Sequence, residues 1–340
     1  MSATADVAAG APQPSEETGR NGRPSVGRRV IGFLEVWGVL ITFLAIFLAF
    51  SFLNPENFAT WPNVIAILNQ TGIIILIAVG LTFVLAAGEF DLSFPYLFAL
   101  VSGVTVSAMT TTGWAVGVAL AVGLLVGVSA GFINGALVAT KRASSFIVTL
   151  ALGSLYTGLM IWIAGPSPIS ENVPAGFSDL AFNFGEVSGV AVIAAVVSVI
   201  AAIALRSSLF GRYVQATGNN PDAAAIAGIN VSRIRIGAFM VLGLLVAVAA
   251  IEQAAISGAH YPETGRSLFL PPFVAAFLGT SVLARGRFTV FGTVVGALFI
   301  STLQTGLLVE STAPWVINVL EGLVLLAAVM MATQVRGRRE

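Results

Sequence analysis

Cysteine is absent from this 340-residue chain, and lysine and histidine each occur once, as Lys141 and His260. Without cysteine there is no disulfide, no thiolate nucleophile and no Cys-ligated metal. A single histidine cannot build a His-rich metal site, and the position of His260, in a loop behind an apolar run, reads as surface. A phosphate-binding P-loop needs GxxxxGK[ST], but the one lysine lies in VATKRAS. HExxH is missing as well, which removes the usual zinc-hydrolase platform. The chain is therefore read as a non-enzyme. Charge is also scarce, with 9% of residues charged where soluble chains carry roughly 25%. So few polar groups cannot cover a water-exposed surface.

Apolar residues make up 57% of the chain, and mean hydropathy is +0.95. A hydrocarbon core about 30 Å thick takes about 20 apolar helical residues to cross, and stretches of that kind recur along the chain. Spans are expected near 31–53, 64–85, 94–112, 114–139, 146–163, 187–205, 234–257, 268–284, 289–309 and 315–332. The first is too long for the apolar region of a signal peptide and stays as an anchor. Residues 1–29, rich in Gly, Pro, Ser and charge, are expected to be a disordered cytoplasmic tail. A transmembrane domain over 30–333 and a short cytoplasmic tail over 334–340 complete the expected organisation. With the N-terminus inside, fifteen of the 16 basic residues fall on the cytoplasmic side and only Arg266 falls outside. An odd miscount would scramble that segregation, so the fold class is all-α and polytopic, with about ten transmembrane helices and both termini cytoplasmic. The formal net charge of zero carries no information on nucleic acid, which is not expected as a partner.

Many of the 36 glycines lie inside spans, including Gly117, Gly123, Gly127 and Gly131 of the fourth, where small residues let helices approach closely. Phe94–Val106 and Leu270–Val282 share a Pro followed eight residues later by Gly, Pro95 with Gly103 and Pro271 with Gly279. Two five-span halves related this way would be inverted in the membrane, and chance similarity of apolar stretches is the alternative.

The long cytoplasmic loop Gly211–Arg233 carries start and stop signals for one exposed helix over about 221–227. Asn219 and Asn220 suit the cap, Pro221 the first position, Asp222 the N-terminal turn and Gly228 the stop. The residues alone leave open whether a partner covers it. In GEFDLS, Glu89 and Asp91 stand two residues apart, and a carboxylate at mid-membrane costs roughly 2.5–3.5 kcal/mol. Either the segment is a cytoplasmic junction, with Asp91 capping the third helix and Glu89 meeting solute or a partner, or it is a broken-helix site facing water. Asn69, Gln70, Glu252, Gln253, Gln304, Asn318 and Glu321 are polar groups inside spans, placed either to bond helices together or to line a solute path. The candidate pathway set is Asn69, Gln70, Glu89, Asp91, Glu252 and Gln304.

Five segments in order, GEFDLS, GFINGALVA (131–139), SFIVTLALGSLYTG (145–158), LFGRYVQATGNNPDAAAIAGIN (209–230) and LGTSVLARGRFTVFGTVVGALF (278–299), resemble the ribose-type permease family of ABC importers. The chain departs from that pattern at Glu89 and Phe90, where family members usually read GIDLS, and at Gly279–Ser281, which lacks a doubled glycine. The resemblance implies a type II importer-like bundle without catalytic residues. Asp222, Ala223, Ala224, Ala225 and Gly228 would belong to a coupling helix seated in a cytoplasmic ATPase. That subunit, not this one, would bind ATP and Mg²⁺. A second permease copy or paralogue, a periplasmic solute-binding protein and the surrounding lipid are the other implied partners. The outer segment Gly165–Glu186, with Glu171, Asp179 and Glu186, is the expected docking surface for the binding protein, and the solute is a sugar or sugar-like. An ion-gradient-driven secondary transporter, with Glu252 and Glu321 as its coupling pair, is the alternative.

Overall fold

The computed structural model describes residues 26–141, 144–282 and 286–337, with side chains over 37–139, 144–282 and 286–332. Most of the expected tail over 1–29, and basic residues of the sidedness argument such as Arg20, Arg142 and Arg285, lie outside the described residues. The helices are α1 (Val26–Leu53), α2 (Trp61–Ala86), α3 (Phe94–Thr110), α4 (Val116–Lys141), α5 (Ser145–Ala164), α6 (Ala175–Ser178) and α7 (Gly189–Ser207). They continue with α8 (Leu209–Asn219), α9 (Pro221–Ile226), α10 (Val231–Ser257), α11 (Thr264–Ser267), α12 (Leu270–Gly279), α13 (Val290–Val309) and α14 (Pro314–Gly337). A two-stranded hairpin, β1 (Asn183–Phe184) with β2 (Val187–Ser188), precedes α7. The fold is an all-α polytopic membrane bundle, in which seven helices are each long and apolar enough to cross a bilayer.

Local chemistry sets the boundaries. Thr60, Ser188, Asn220, Asn230 and Thr289 each accept a backbone N–H three residues on, at the starts of α2, α7, α9, α10 and α13. Each of these bonds satisfies one N–H that the first helical turn leaves unpaired. The expected eighth span is corrected here: among the described residues of 268–284, only Leu270–Gly279 is helical. Ten residues at 1.5 Å rise give about 15 Å, half a hydrocarbon core. Pro271 and Pro272 lack the N–H that would extend α12 back toward its N-terminus. Phe269 and Phe273 instead stack on Phe94, and Phe277 on Phe90, so the short helix lies against the segment leading into α3.

The most extensive helix pair is α4 with α10. Along it a Cβ on Gly127 would sit 2.5 Å from Ala247 Cβ, and one on Gly131 would strike the Phe239 carbonyl and lie 2.9 Å from Met240 Cα. Gly117, expected in the same stripe, faces open space. Close backbone approach replaces the hydrophobic drive that lipid cannot supply between helices. Because the obstacles at Gly131 are backbone atoms, Gly131→Leu should leave little monodisperse protein after detergent extraction. A wild-type yield of this variant would show that α4 does not pack on α10 as described.

Candidate functional site

Two polar constellations stand apart in the bundle, one beside the hairpin and one where α2 leads into α3. At the end that carries the hairpin, a cavity of about 720 Å³ opens between α2, α10, α11 and α13. Four of the expected pathway residues line it: Asn69 and Gln70 from α2, Glu252 from α10 and Gln304 from α13. Asn69 is held by the hairpin, donating to the Glu186 carbonyl at 3.1 Å and accepting from the Ser188 N–H at 2.8 Å. The Thr305 hydroxyl lies 3.4 Å from Gln70 Oε1, and Gln304 donates to Glu321 Oε1 at 2.6 Å. Glu252 is 9% exposed, and its Oε2 has no hydrogen-bond partner. A carboxylate kept in an apolar helix at a cavity wall, with one buried oxygen lacking a donor, has acceptor capacity that hydroxyl groups can fill. Gln253 also lines the cavity, while Thr264 and Ser267 of α11 and Pro271 of α12 contribute part of its wall.

Glu89 and Asp91 do not line this cavity. They sit toward the α9 end in the connection between α2 and α3, where both side chains are buried although Gly88 and Phe90 are exposed. Asp91, 2% exposed, accepts from the Ser93 N–H at 2.6 Å and the Ser93 hydroxyl at 2.7 Å through Oδ1, and from Asn134 Nδ2 at 2.9 Å through Oδ2. Tyr156 donates to Asn134 Oδ1 at 2.5 Å. The N–H groups of Phe90 and Leu92 donate to Ser145 Oγ at 3.1 Å and Thr149 Oγ1 at 3.0 Å. Glu89 forms an ion pair with Arg235 at 2.8 Å. Three of the five motif segments thus meet in one buried network. Asn134 and Tyr156 were missed by sequence reasoning; an amide in the apolar run of 116–141 was the available signal.

The α9 end bears the motif expected to couple to a partner. Asn220 caps α9, accepting from Ala223 N–H at 2.9 Å, and Gly228 takes φ +83°, a conformation that suits glycine. Asp222, Ala223, Ala225 and Gly228 are exposed, but Ala224 is buried and points inward, so it cannot touch a partner. The large apolar side chain on the outside is Ile226, 90% exposed. The rest of the expected loop is not irregular either: α8 precedes α9 and shares Asn220 as its C-cap.

His260 corrects its expected surface placement. It is fully buried, its Nδ1 lies 3.0 Å from Ser102 Oγ, and its backbone pairs with Ile169 in both directions. Burial pushes its pKa down to about 4, so the ring is neutral near pH 7. Alternation of apolar and polar residues says nothing about a loop that folds back into the bundle.

The family model described as branched-chain amino acid transport system / permease component matches residues 63–329. This chain belongs to that family. The ribose import permease protein of Escherichia coli strain K12 is 32% identical to it over 317 residues, 90% of this chain and 96% of the relative. The L-arabinose ABC transporter permease protein of Azospirillum brasilense is 32% identical over 302 residues, 89% of this chain and 88% of the relative. The autoinducer 2 import system permease protein of Yersinia enterocolitica is 30% identical over 298 residues, 87% and 82% of the two chains. No solved structure matches the chain. The five-segment resemblance to ribose-type permeases is thereby shown, and the chain is the permease subunit of an ABC importer in the inner membrane, a transport component and not a catalytic enzyme. Family membership also decides against the gradient-driven carrier. Glu252 and Glu321, the coupling pair of that reading, are respectively a cavity wall and the acceptor for Gln304.

Proposed function

We propose that this permease imports a sugar or sugar-like solute, and that the cavity walled by Asn69, Gln70, Glu252 and Gln304 receives it. The observation that carries this reading is the cavity itself, about 720 Å³, with amides and an unpartnered carboxylate among apolar walls. Sugars present hydroxyl groups that both donate and accept, and amides with a carboxylate answer both roles. The family description names amino acids, but a free amino acid brings an ammonium and a carboxylate, and no Lys, Arg or His is among the residues lining the cavity to neutralise the latter. Relatives named for ribose, L-arabinose and autoinducer 2 support the sugar-like class.

In this reading the chain crosses the membrane ten times, with α12 and the residues flanking it counted as the eighth pass, and both termini are cytoplasmic. The α9 end then faces the cytoplasm and the cavity opens outward. The two five-span halves are inverted in the membrane and rock one against the other, and Phe94 at the start of one repeat segment stacks on Phe269 beside the start of the other. A second permease copy or paralogue completes the pore, and a periplasmic binding protein delivers solute onto Gly165–Glu186. Within that segment Glu186 already accepts from Trp61 Nε1 at 2.6 Å, which leaves Glu171 and Asp179 as the acids facing outward. ATP and Mg²⁺ belong to the cytoplasmic ATPase, whose closure would move α9 and with it the bundle.

The test is uptake of labelled ribose, arabinose and xylose in cells carrying the permease with its ATPase and binding protein. One of the three should accumulate, and Glu252→Ala should lower its uptake by about tenfold, the loss of one strong hydrogen bond to the solute. Accumulation of none of them, or unchanged uptake in Glu252→Ala, rejects the assignment.

A further inference from the structure

A second concavity, about 830 Å³, lies at the α9 end between the last turns of α7, the length of α8 and the first turn of α13. Three arginines line it, Arg206, Arg212 and Arg287. Each is exposed, and none of the three side chains has an ion pair or hydrogen bond among the described residues. No Asp or Glu is among the described residues that line the concavity. Its wall is rigid on one side, where Gln215 of α8 donates to the Phe288 carbonyl at 3.2 Å. The arginines come from three different elements, so the fold, not a charge run in sequence, gathers them.

The lining is also graded. Beside the guanidiniums stand Leu205, Val290 and Phe291, and the adjoining membrane-facing surface carries Ile203, 61% exposed, and Phe291, 57% exposed. Positive charge at the rim of two spans with bare apolar surface beside it matches one molecule in shape and polarity: a phosphate head with a hydrocarbon tail. We propose that this concavity binds an anionic phospholipid of the cytoplasmic leaflet. Its phosphate would lie among Arg206, Arg212 and Arg287 and an acyl chain along Ile203 and Phe291. Guanidinium forks suit phosphate oxygens, and basic pockets between spans on the cytoplasmic side hold such headgroups. An acidic segment of the ATPase would answer the charge but not the apolar surface, which lies on the flank of α7 and α13.

The test is native mass spectrometry of the purified full chain in detergent, offered phosphatidylglycerol or phosphatidylcholine. Wild type should retain phosphatidylglycerol preferentially, and R206Q/R212Q/R287Q should retain about a hundredfold less while eluting as the same monodisperse species. If the triple variant is polydisperse, Arg212→Gln and Arg287→Gln singly carry the comparison, each lowering retention about fivefold. Equal retention of the two lipids by wild type, or undiminished retention of phosphatidylglycerol by the variants, overturns the site. Displacement of the lipid by millimolar inorganic phosphate would make it a site for free anions. Unchanged lipid retention with loss of ATPase co-purification would make it a protein surface. Either result overturns the lipid assignment.

Discussion

Replacing Ile226 with Asp is expected to bring ATP-driven uptake to background while the permease still inserts and extracts normally. Ile226 is 90% exposed on a six-residue helix, the largest apolar side chain that α9 offers to a partner. Burying it in a groove of the ATPase would contribute about 2–3 kcal/mol, and putting an unpaired carboxylate there adds several more against binding. Since 1.4 kcal/mol is tenfold, the affinity of the pair should fall by roughly a hundredfold or more. The fold should not notice, because the side chain touches little of its own bundle. Ala224 and Gly228 make poor probes by comparison. Ala224 is buried and Gly228 stands at φ +83°, so substitution at either confuses loss of coupling with loss of structure. Uptake and ATPase co-purification measured on the same preparation decide the point. Retention of both by Ile226→Asp would remove α9 from the coupling surface.

The second large effect concerns Asp91. Asp91→Ala deletes the acceptor for Ser93 N–H, Ser93 Oγ and Asn134 Nδ2, all buried; Asn134 keeps its bond to Ser93 Oγ, but both Ser93 donors lose their partner. Each orphaned buried donor costs about 1–3 kcal/mol, and the total is a large share of a stability that is commonly about 5–15 kcal/mol. The variant should therefore be recovered at a small fraction of the wild-type level, with a markedly lower melting temperature in detergent. Asp91→Asn keeps one carbonyl oxygen for the two Ser93 donors but turns an NH₂ toward Asn134, so it should fall between. Asn134→Leu, which breaks the same network from α4 and strands Tyr156, should resemble Asp91→Ala. A melting temperature for Asp91→Ala within a degree of wild type would mean that the network does not hold α3, α4 and α5 together.

These two experiments address opposite ends of one argument. The α9 helix is legible in the sequence because its signals are local: an Asn cap, a Pro at the first position, an acid in the first turn and a Gly that can take positive φ. Its outward residue was not picked out, since cap and stop signals set where a helix begins and ends but not how it rolls on its neighbours. For the pathway set, membrane depth and side-chain type selected Asn69, Gln70, Glu252 and Gln304, which the fold does bring to one cavity. The same criterion also selected Glu89 and Asp91, which the fold sends to an ion pair and a buried network instead. A carboxylate in an apolar stretch must avoid lipid, but it can do so by facing solute, a cation or an amide, and only the neighbours decide which.

What the sequence by itself determined is what depends on composition and short-range chemistry. The bilayer as solvent follows from 9% charge and repeated apolar runs, the helix ends follow from caps and prolines, and the class follows from five ordered segments. Tertiary structure alone decided the meeting of Asp91, Asn134 and Tyr156, the shortness of α12, the burial of His260 and the gathering of Arg206, Arg212 and Arg287. The physical reason is the membrane itself. In water an apolar face points to the core, so periodicity reveals a helix's orientation. In lipid the outer face is apolar too, as Leu125 and Ile203 are here while Ala247 and Leu242 are buried, and the pattern that would orient each helix is erased.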